Sequence, residues 1–179
     1  MGSEVNRTTT VHSGRVFSLV TENVTLENGA TVDMDLIRHP GAAAIVAITT
    51  DRKLKLVHQY RHAVGCRLWE IPAGTLEPGE TPRDCAAREL AEEAGAAAEK
   101  WLVLGEITPV PGYSDERIHL FLATGLSPEK QHLDRDEVLE VFDMPLASAL
   151  DMVDTGEIVD GKTIAGLLLA DRYLRNALS

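Results

Sequence analysis

Short apolar and β-branched runs separated by turn residues fill the first half of the chain, which is the pattern of strands rather than helices. Residues 16–26 and 31–37 flank Glu27-Asn28-Gly29-Ala30, and Asn-Gly between two such runs predicts a hairpin. Residues 42–49 form a continuous apolar run that ends at Thr50-Asp51. Residues 53–60 alternate, with Leu54, Leu56 and His58 expected on one face and Lys53, Lys55 and Val57 on the other. A short strand is expected over 68–71, before Pro72-Ala73-Gly74.

Helix signals follow. Thr81 is a good N-cap, Pro82 suits the first helical position, Asp84 stands where a carboxylate can cap back, and Gly95 closes the segment. The Ala, Arg, Glu and Leu between them are strong helix formers. Strands are expected over 101–107 and 118–124, on either side of a Pro/Gly loop at 109–116. A polar loop at 127–136 leads to a last strand near 138–142, and helices over 145–155 and 163–178 finish the chain. No internal repeat or linker-like stretch interrupts this order. The expected fold class is α+β, a mixed sheet in one domain with an N-terminal hairpin region as an appendage.

A length of 179 residues suits one domain with a sizeable core. Cys66 and Cys85 stand in no metal-ligand spacing and form no disulfide framework. The charge is more informative. Twenty-eight Asp+Glu against 17 Lys+Arg give −11, which argues against nucleic acid as a partner unless the local field is inverted. The longest apolar runs, 42–48 and 164–170, fall short of a membrane span. The start of the chain lacks the pattern of a signal peptide, so the expectation is a soluble cytoplasmic protein.

The carboxylates are unevenly placed. Gly74 is followed after five residues by Glu80, and after seven more by Arg88-Glu89-Leu90-Ala91-Glu92-Glu93-Ala94-Gly95-Ala96. On a helix Glu89 and Glu93 share a face, with Glu92 one step round. Like charges at that spacing destabilise an isolated helix, and anions in its last turn oppose the helix dipole. Three carboxylates there call for compensation. Hard divalent cations on oxygen ligands would supply it, and Arg88, four residues before Glu92, could hold that side chain in place. A Glu/Arg-rich helix is ordinarily just a solvated surface, but this spacing resembles the Nudix box. All seven of its fixed positions are filled, a match expected by chance at roughly one position in 10⁸. Ala96 departs from the bulkier aliphatic usual at the end of the box.

The chain is thus similar to Nudix hydrolases, which cleave nucleoside diphosphates linked to another moiety. The resemblance implies a Nudix fold over 41–179, with a mixed sheet sandwiched between helices. Residues 1–40 would be an N-terminal β extension that pairs with a second subunit, so a homodimer is implied. It further implies that Glu89 and Glu93 are metal ligands, with Glu92 a further or water-mediated one and the Ala73 carbonyl another. Glu80 would orient the box, and Gly74 would permit close approach of the backbone. The implied cofactor is Mg²⁺ or Mn²⁺, two to three ions.

Outside the box, Gln59-Tyr60-Arg61-His62, the stretch from Leu68 to Gly74, and Pro111-Gly112-Tyr113-Ser114-Asp115-Glu116 resemble the ADP-ribose pyrophosphatase branch. Arg61 is a candidate diphosphate clamp, because a planar guanidinium pairs with phosphate oxygens in a bidentate way. Arg38, Glu70, Tyr113 and Glu116 are further substrate-binding candidates. His58 and His62, four apart in a strand, do not make a metal pair. The general base implied by the resemblance lies in the acidic stretch 134–140, with Glu137 preferred over Glu140 and Asp136. The expected reaction splits ADP-ribose into AMP and ribose 5-phosphate, catalysed by Glu137 with Glu92 and Glu93. The alternatives are hydrolysis of GDP-mannose or another nucleotide sugar, and a non-catalytic module that senses nucleotide sugars.

Overall fold

In the computed structural model, which describes residues 2–133 and 138–177, the expected hairpin is part of a separate three-stranded antiparallel sheet. Its strands are β1 (Glu4–Ser13), β2 (Ser18–Thr25) and β3 (Thr31–Arg38), in that order. One face is polar and laced across the strands: Thr21 Oγ1 donates to Asp35 (2.6 Å) and Asn23 Nδ2 to Asp33 (2.7 Å). The other gathers Val20 opposite Leu36 and Val24 opposite Val32, with Met34 opposite Glu22 between them. β1 was not expected from the sequence. Every residue in it is exposed, so no buried face imposes an apolar period on its residues.

Two further sheets make the body of the molecule. One has the order β7-β4-β9-β8, from β4 (Ala42–Ala47), β7 (Ala73–Thr75), β8 (Ala96–Ile107) and β9 (Ile118–Pro128), with β4 and β9 parallel. The other has the order β10-β5-β6, from β5 (Lys53–Arg61), β6 (Cys66–Glu70) and β10 (Leu139–Pro145), all antiparallel. Strand β4 is buried throughout, and its alternate residues feed two cores. Ala43, Ile45 and Ala47 meet Cys85, Ala86 and Leu90 of α1 (Pro82–Ala94). Ala44 and Val46 meet Ala149 of α2 (Leu146–Asp154) and Leu167 and Ala170 of α3 (Gly161–Asn176). Helices therefore cover both faces of a mixed sheet, as expected.

Several details differ from the sequence reading. Val57 is buried, so the face expected to be polar beyond Lys55 is covered, because α1 packs against β5. β7 is three residues long, too short to carry a pattern. β8 begins at Ala96 rather than Trp101, because pairing with β9 as far as Pro128 overrides the low strand propensity of Ala97 and Ala98. Among the described residues, no helix is long and apolar enough to cross a membrane.

Candidate active site

The box folds as strand, loop and helix. Thr81 caps α1 by accepting from the Asp84 amide (3.2 Å), Pro82 opens the helix, and Gly95 closes it in the left-handed region at φ 59°. These are the signals read in the sequence, and a cap of this kind contributes about 1 kcal/mol. The strand and helix that flank the loop face each other at Gly74. A Cβ built on Gly74 would meet Glu89 Oε1 at 1.8 Å, so the carboxylate occupies the space that any other residue would fill.

Glu89 and Glu93 are both buried. Glu93 accepts from the Ala73 amide (2.8 Å). Arg88 is the hub of the remaining carboxylates. It donates to Glu80 through Nε (2.8 Å) and Nη2 (2.9 Å), to Glu89 (2.6 Å) and to Glu92 (2.9 Å). Its hydrogen bonds to Glu80 raise the Arg88 pKa and in turn hold the Glu80 carboxyl down at about 2. Arg88 thus supplies much of the compensation that local helix electrostatics demanded of this segment. Beneath the hub, burial pushes the Cys85 thiol up to about 12, where it is an inert packing group.

A second charge network stands beside the first. Glu70, 1% exposed, accepts from Arg61 through two bonds of 2.7 Å and from Lys162 Nζ. Burial raises the Glu70 pKa, but the two cations outweigh it and leave the carboxyl below its ordinary value. The same hydrogen bonds raise Arg61. Lys162 also donates to Asp160 (3.1 Å), which caps α3. Thr163 Oγ1 donates to Asp160 (2.6 Å) and accepts from the Ile71 amide (2.9 Å). The start of α3 is therefore latched to the strand that runs into the box. Lys162 and Asp160 were missed in the sequence. The only local signal was an Asp three residues before a Thr, which reads as a helix cap and says nothing of Glu70, 90 residues away.

Between these networks lies a cavity of about 1070 Å³, at the upper end of small-ligand sites. Arg61 and Lys162 contribute cationic groups to its wall, Glu89 and Glu93 anionic ones, and Ala73, Gly74 and Glu116 also line it. The turn between β1 and β2 brings Arg15 and Val16 of the same chain to it, a contribution the sequence did not suggest. Other candidates stand apart from the lining. Glu70 sits behind Arg61, and Glu92 is held by Arg88. Arg38 pairs with Glu22 (2.7 Å) and Asp115 (3.0 Å), joining the N-terminal sheet to the loop at 109–116. The Tyr113 side chain is exposed while its carbonyl accepts from Ile37 (2.7 Å). His58 stacks on Trp69 with ring centroids 4.4 Å apart. Glu140 lies on β10, 3.7 Å from Arg67. Asp134, Asp136 and Glu137 lie outside the described residues.

Among the described residues, no three His, Cys, Asp or Glu side chains converge as a ready metal cage. Arg88 binds Glu89 and Glu92, and Glu93 is turned to the Ala73 amide. The donor set nevertheless fits a hard divalent cation. It consists of carboxylate and carbonyl oxygens, with the Glu89 carboxylate seated where Gly74 leaves room.

The NUDIX domain family model matches residues 38–167. The chain is 43% identical over 164 residues to an ADP-ribose pyrophosphatase of Mycobacterium tuberculosis, covering 89% of this chain and 78% of that protein. It is 42% identical over 155 residues to an ADP-ribose pyrophosphatase of Bacillus subtilis, covering 86% and 84%. The crystal structure of an ADP compounds hydrolase superposes with a TM-score of 0.85 at 23% identity, over 99% of this chain and 96% of that one, which establishes the shared fold.

Proposed function

The chain belongs to the NUDIX domain family, and from that membership we propose that it hydrolyses the diphosphate bond of ADP-ribose, giving AMP and ribose 5-phosphate. One observation carries the reading: an intact box whose Glu89 and Glu93 share with Arg61 the wall of a cavity large enough for a nucleoside diphosphate sugar. Glu89, Glu92, Glu93 and the Ala73 carbonyl are the groups that would hold divalent cations, taken to be two or three Mg²⁺ or Mn²⁺ ions. Such cations neutralise the diphosphate and acidify water.

The chain's own residues do the rest. Arg61 pairs with phosphoryl oxygens as charge builds on them. Glu70 holds that guanidinium at a fixed angle through two hydrogen bonds, with Lys162 bracing Glu70 from the other side. Arg88 keeps Glu80, Glu89 and Glu92 together despite their mutual repulsion. Glu116, on the cavity wall, contacts the terminal ribose, while Arg38 and Tyr113 serve substrate from the periphery. Glu137 is assigned the general base that takes a proton from the attacking water. Its own position is outside the described residues, but its flanks support the assignment. Gln131 Nε2 donates to the Glu93 carbonyl (2.6 Å) and the His132 amide to the Glu92 carbonyl (3.1 Å). On the far side the Tyr60 amide donates to the Val138 carbonyl (3.1 Å). Both ends of the acidic segment are thus fastened beside the site.

Residues 1–40 are assigned to dimerisation and 41–179 to the catalytic domain of a soluble, cytoplasmic homodimer. The exposed Val5, Val32 and Met34 on the apolar face of the N-terminal sheet support this. The net charge of −11 speaks against nucleic acid as a partner.

The test is a hydrolysis panel of ADP-ribose, GDP-mannose, UDP-glucose, diadenosine polyphosphates and 8-oxo-dGTP, with Mg²⁺ and with chelator. ADP-ribose should be cleaved fastest, and chelator should abolish turnover. Faster cleavage of GDP-mannose would overturn the substrate assignment. Equal trace turnover of all substrates would overturn the enzyme.

A further inference from the structure

Gln59 is a buried polar residue to which neither charge network assigns a role. The residue is one of those that line the cavity, and it is 6% exposed. It stands on β5 two residues before Arg61, so both occupy the same face of the strand. Its neighbours in register are Leu68 on β6 and Leu139 on β10. Among the described residues, Gln59 Oε1 is the only fully buried side-chain oxygen or nitrogen without a hydrogen-bond partner. Other buried polar groups are satisfied: Glu70 by Arg61 and Lys162, Thr163 by Asp160 and Ile71, Glu22 by Arg38.

A buried acceptor without a donor is costly. With leucines opposite it on both neighbouring strands, an apolar side chain would fit the position at no such cost. An orphan on a cavity wall is explained if its partner arrives with the ligand. The chemistry of that partner is restricted. An amide oxygen accepts and does not donate, so it repels the diphosphate oxygens that Arg61 attracts. It requires an O–H.

We propose that Gln59 is a ligand-contacting residue of the active site, whose amide oxygen, covered in the ligand-free chain, turns into the cavity to accept a hydrogen bond from a hydroxyl present only in the loaded site. That hydroxyl belongs either to the terminal sugar of the nucleoside diphosphate sugar or to the attacking water. β5 then offers a donor for the phosphates at Arg61 and an acceptor for the hydroxyl at Gln59. This inference rests on the cavity being the diphosphate hydrolase site proposed above.

The test uses the full chain with Gln59→Met and Gln59→Leu, which keep approximate size and remove the orphan. Two quantities are measured: the Tm of the ligand-free protein, and kcat and KM on ADP-ribose and on ADP methyl ester, which lacks the terminal sugar. At least one variant should match or exceed the wild-type Tm, and kcat/KM on ADP-ribose should fall roughly 10- to 100-fold in both. A loss confined to ADP-ribose identifies the sugar hydroxyl as the donor. An equal loss of kcat on both substrates, with KM unchanged, identifies the water. A lowered Tm in both variants would make the amide a structural group and overturn the proposal, as would wild-type kinetics in either variant. If the wild-type protein cleaves neither substrate, the parent assignment falls instead.

Discussion

Gly74→Ala adds one methyl group at the contact between strand β7 and helix α1. The added Cβ would stand 1.8 Å from Glu89 Oε1 and 2.0 Å from its Cδ. Contacts below 3.0 Å are essentially never seen, so the carboxylate must retreat by about 1 Å or more. The backbone raises no objection, since Gly74 is not among the glycines with positive φ. Glu89 is also a flexible side chain, so the fold has a way to relieve the clash. A Gly→Ala change at a compatible position stabilises by about 0.4–1 kcal/mol through the unfolded chain, which offsets part of the strain. The Tm should therefore move by only a few degrees. Catalysis has no such tolerance. Ligand positions at a metal site are held to about 0.2 Å, and a 1 Å misplacement of a catalytic group costs about 10²-fold. Steady-state hydrolysis of ADP-ribose across a Mg²⁺ titration should show kcat down about 100-fold and half-saturation at higher Mg²⁺. Differential scanning calorimetry should show a fold nearly as stable as wild type. Wild-type kcat at the wild-type Mg²⁺ requirement would refute the reasoning, because Glu89 would then not need the space that Gly74 leaves.

Other changes separate the two charge networks. Glu70→Ala leaves Arg61 and Lys162 without their shared buried partner and should destabilise by about 3 kcal/mol, measured by urea unfolding; it should also raise KM more than Gly74→Ala does, because Arg61 loses its brace. Thr163→Val leaves the Ile71 amide without its acceptor and should cost about 1–3 kcal/mol in the same assay. The pH dependence of unfolding should report Glu80. Its carboxyl is held at about 2, below its ordinary 4.5, so the stability it adds is complete above about 4.5 and is lost as pH falls through about 2. The difference between wild type and Glu80→Gln should therefore be constant near pH 6 and shrink on acidification; a difference that grows in acid would reverse the assigned sign. Val32→Lys with Met34→Lys should convert a dimer to a monomer in light scattering, and an unchanged mass would remove the N-terminal sheet from the interface.

The sequence by itself determined whatever depends on neighbours along the chain. Thr81, Pro82 and Gly95 set the limits of α1 because caps act on the nearest amides and carbonyls. Asn28-Gly29 set a hairpin because the turn demands those residues. The box spacing marked Gly74, Glu80, Arg88, Glu89, Glu92 and Glu93 as one unit because one short strand, one loop and one helix, consecutive in the chain, carry them all. The exposed strand β1 was illegible, since without a buried face nothing selects an apolar period. The same is true of Val57, which is buried on a strand against which α1, from elsewhere in the chain, packs. The tertiary structure alone decided which groups surround the box. It put Lys162 on Glu70, tied Ile71 to Thr163, brought the β1–β2 turn to the cavity and left Gln59 Oε1 without a partner. Each of these depends on residues distant in the chain meeting at short range. Hydrogen bonds and charge pairs act over a few ångströms, and folding, not sequence spacing, sets distances of that kind.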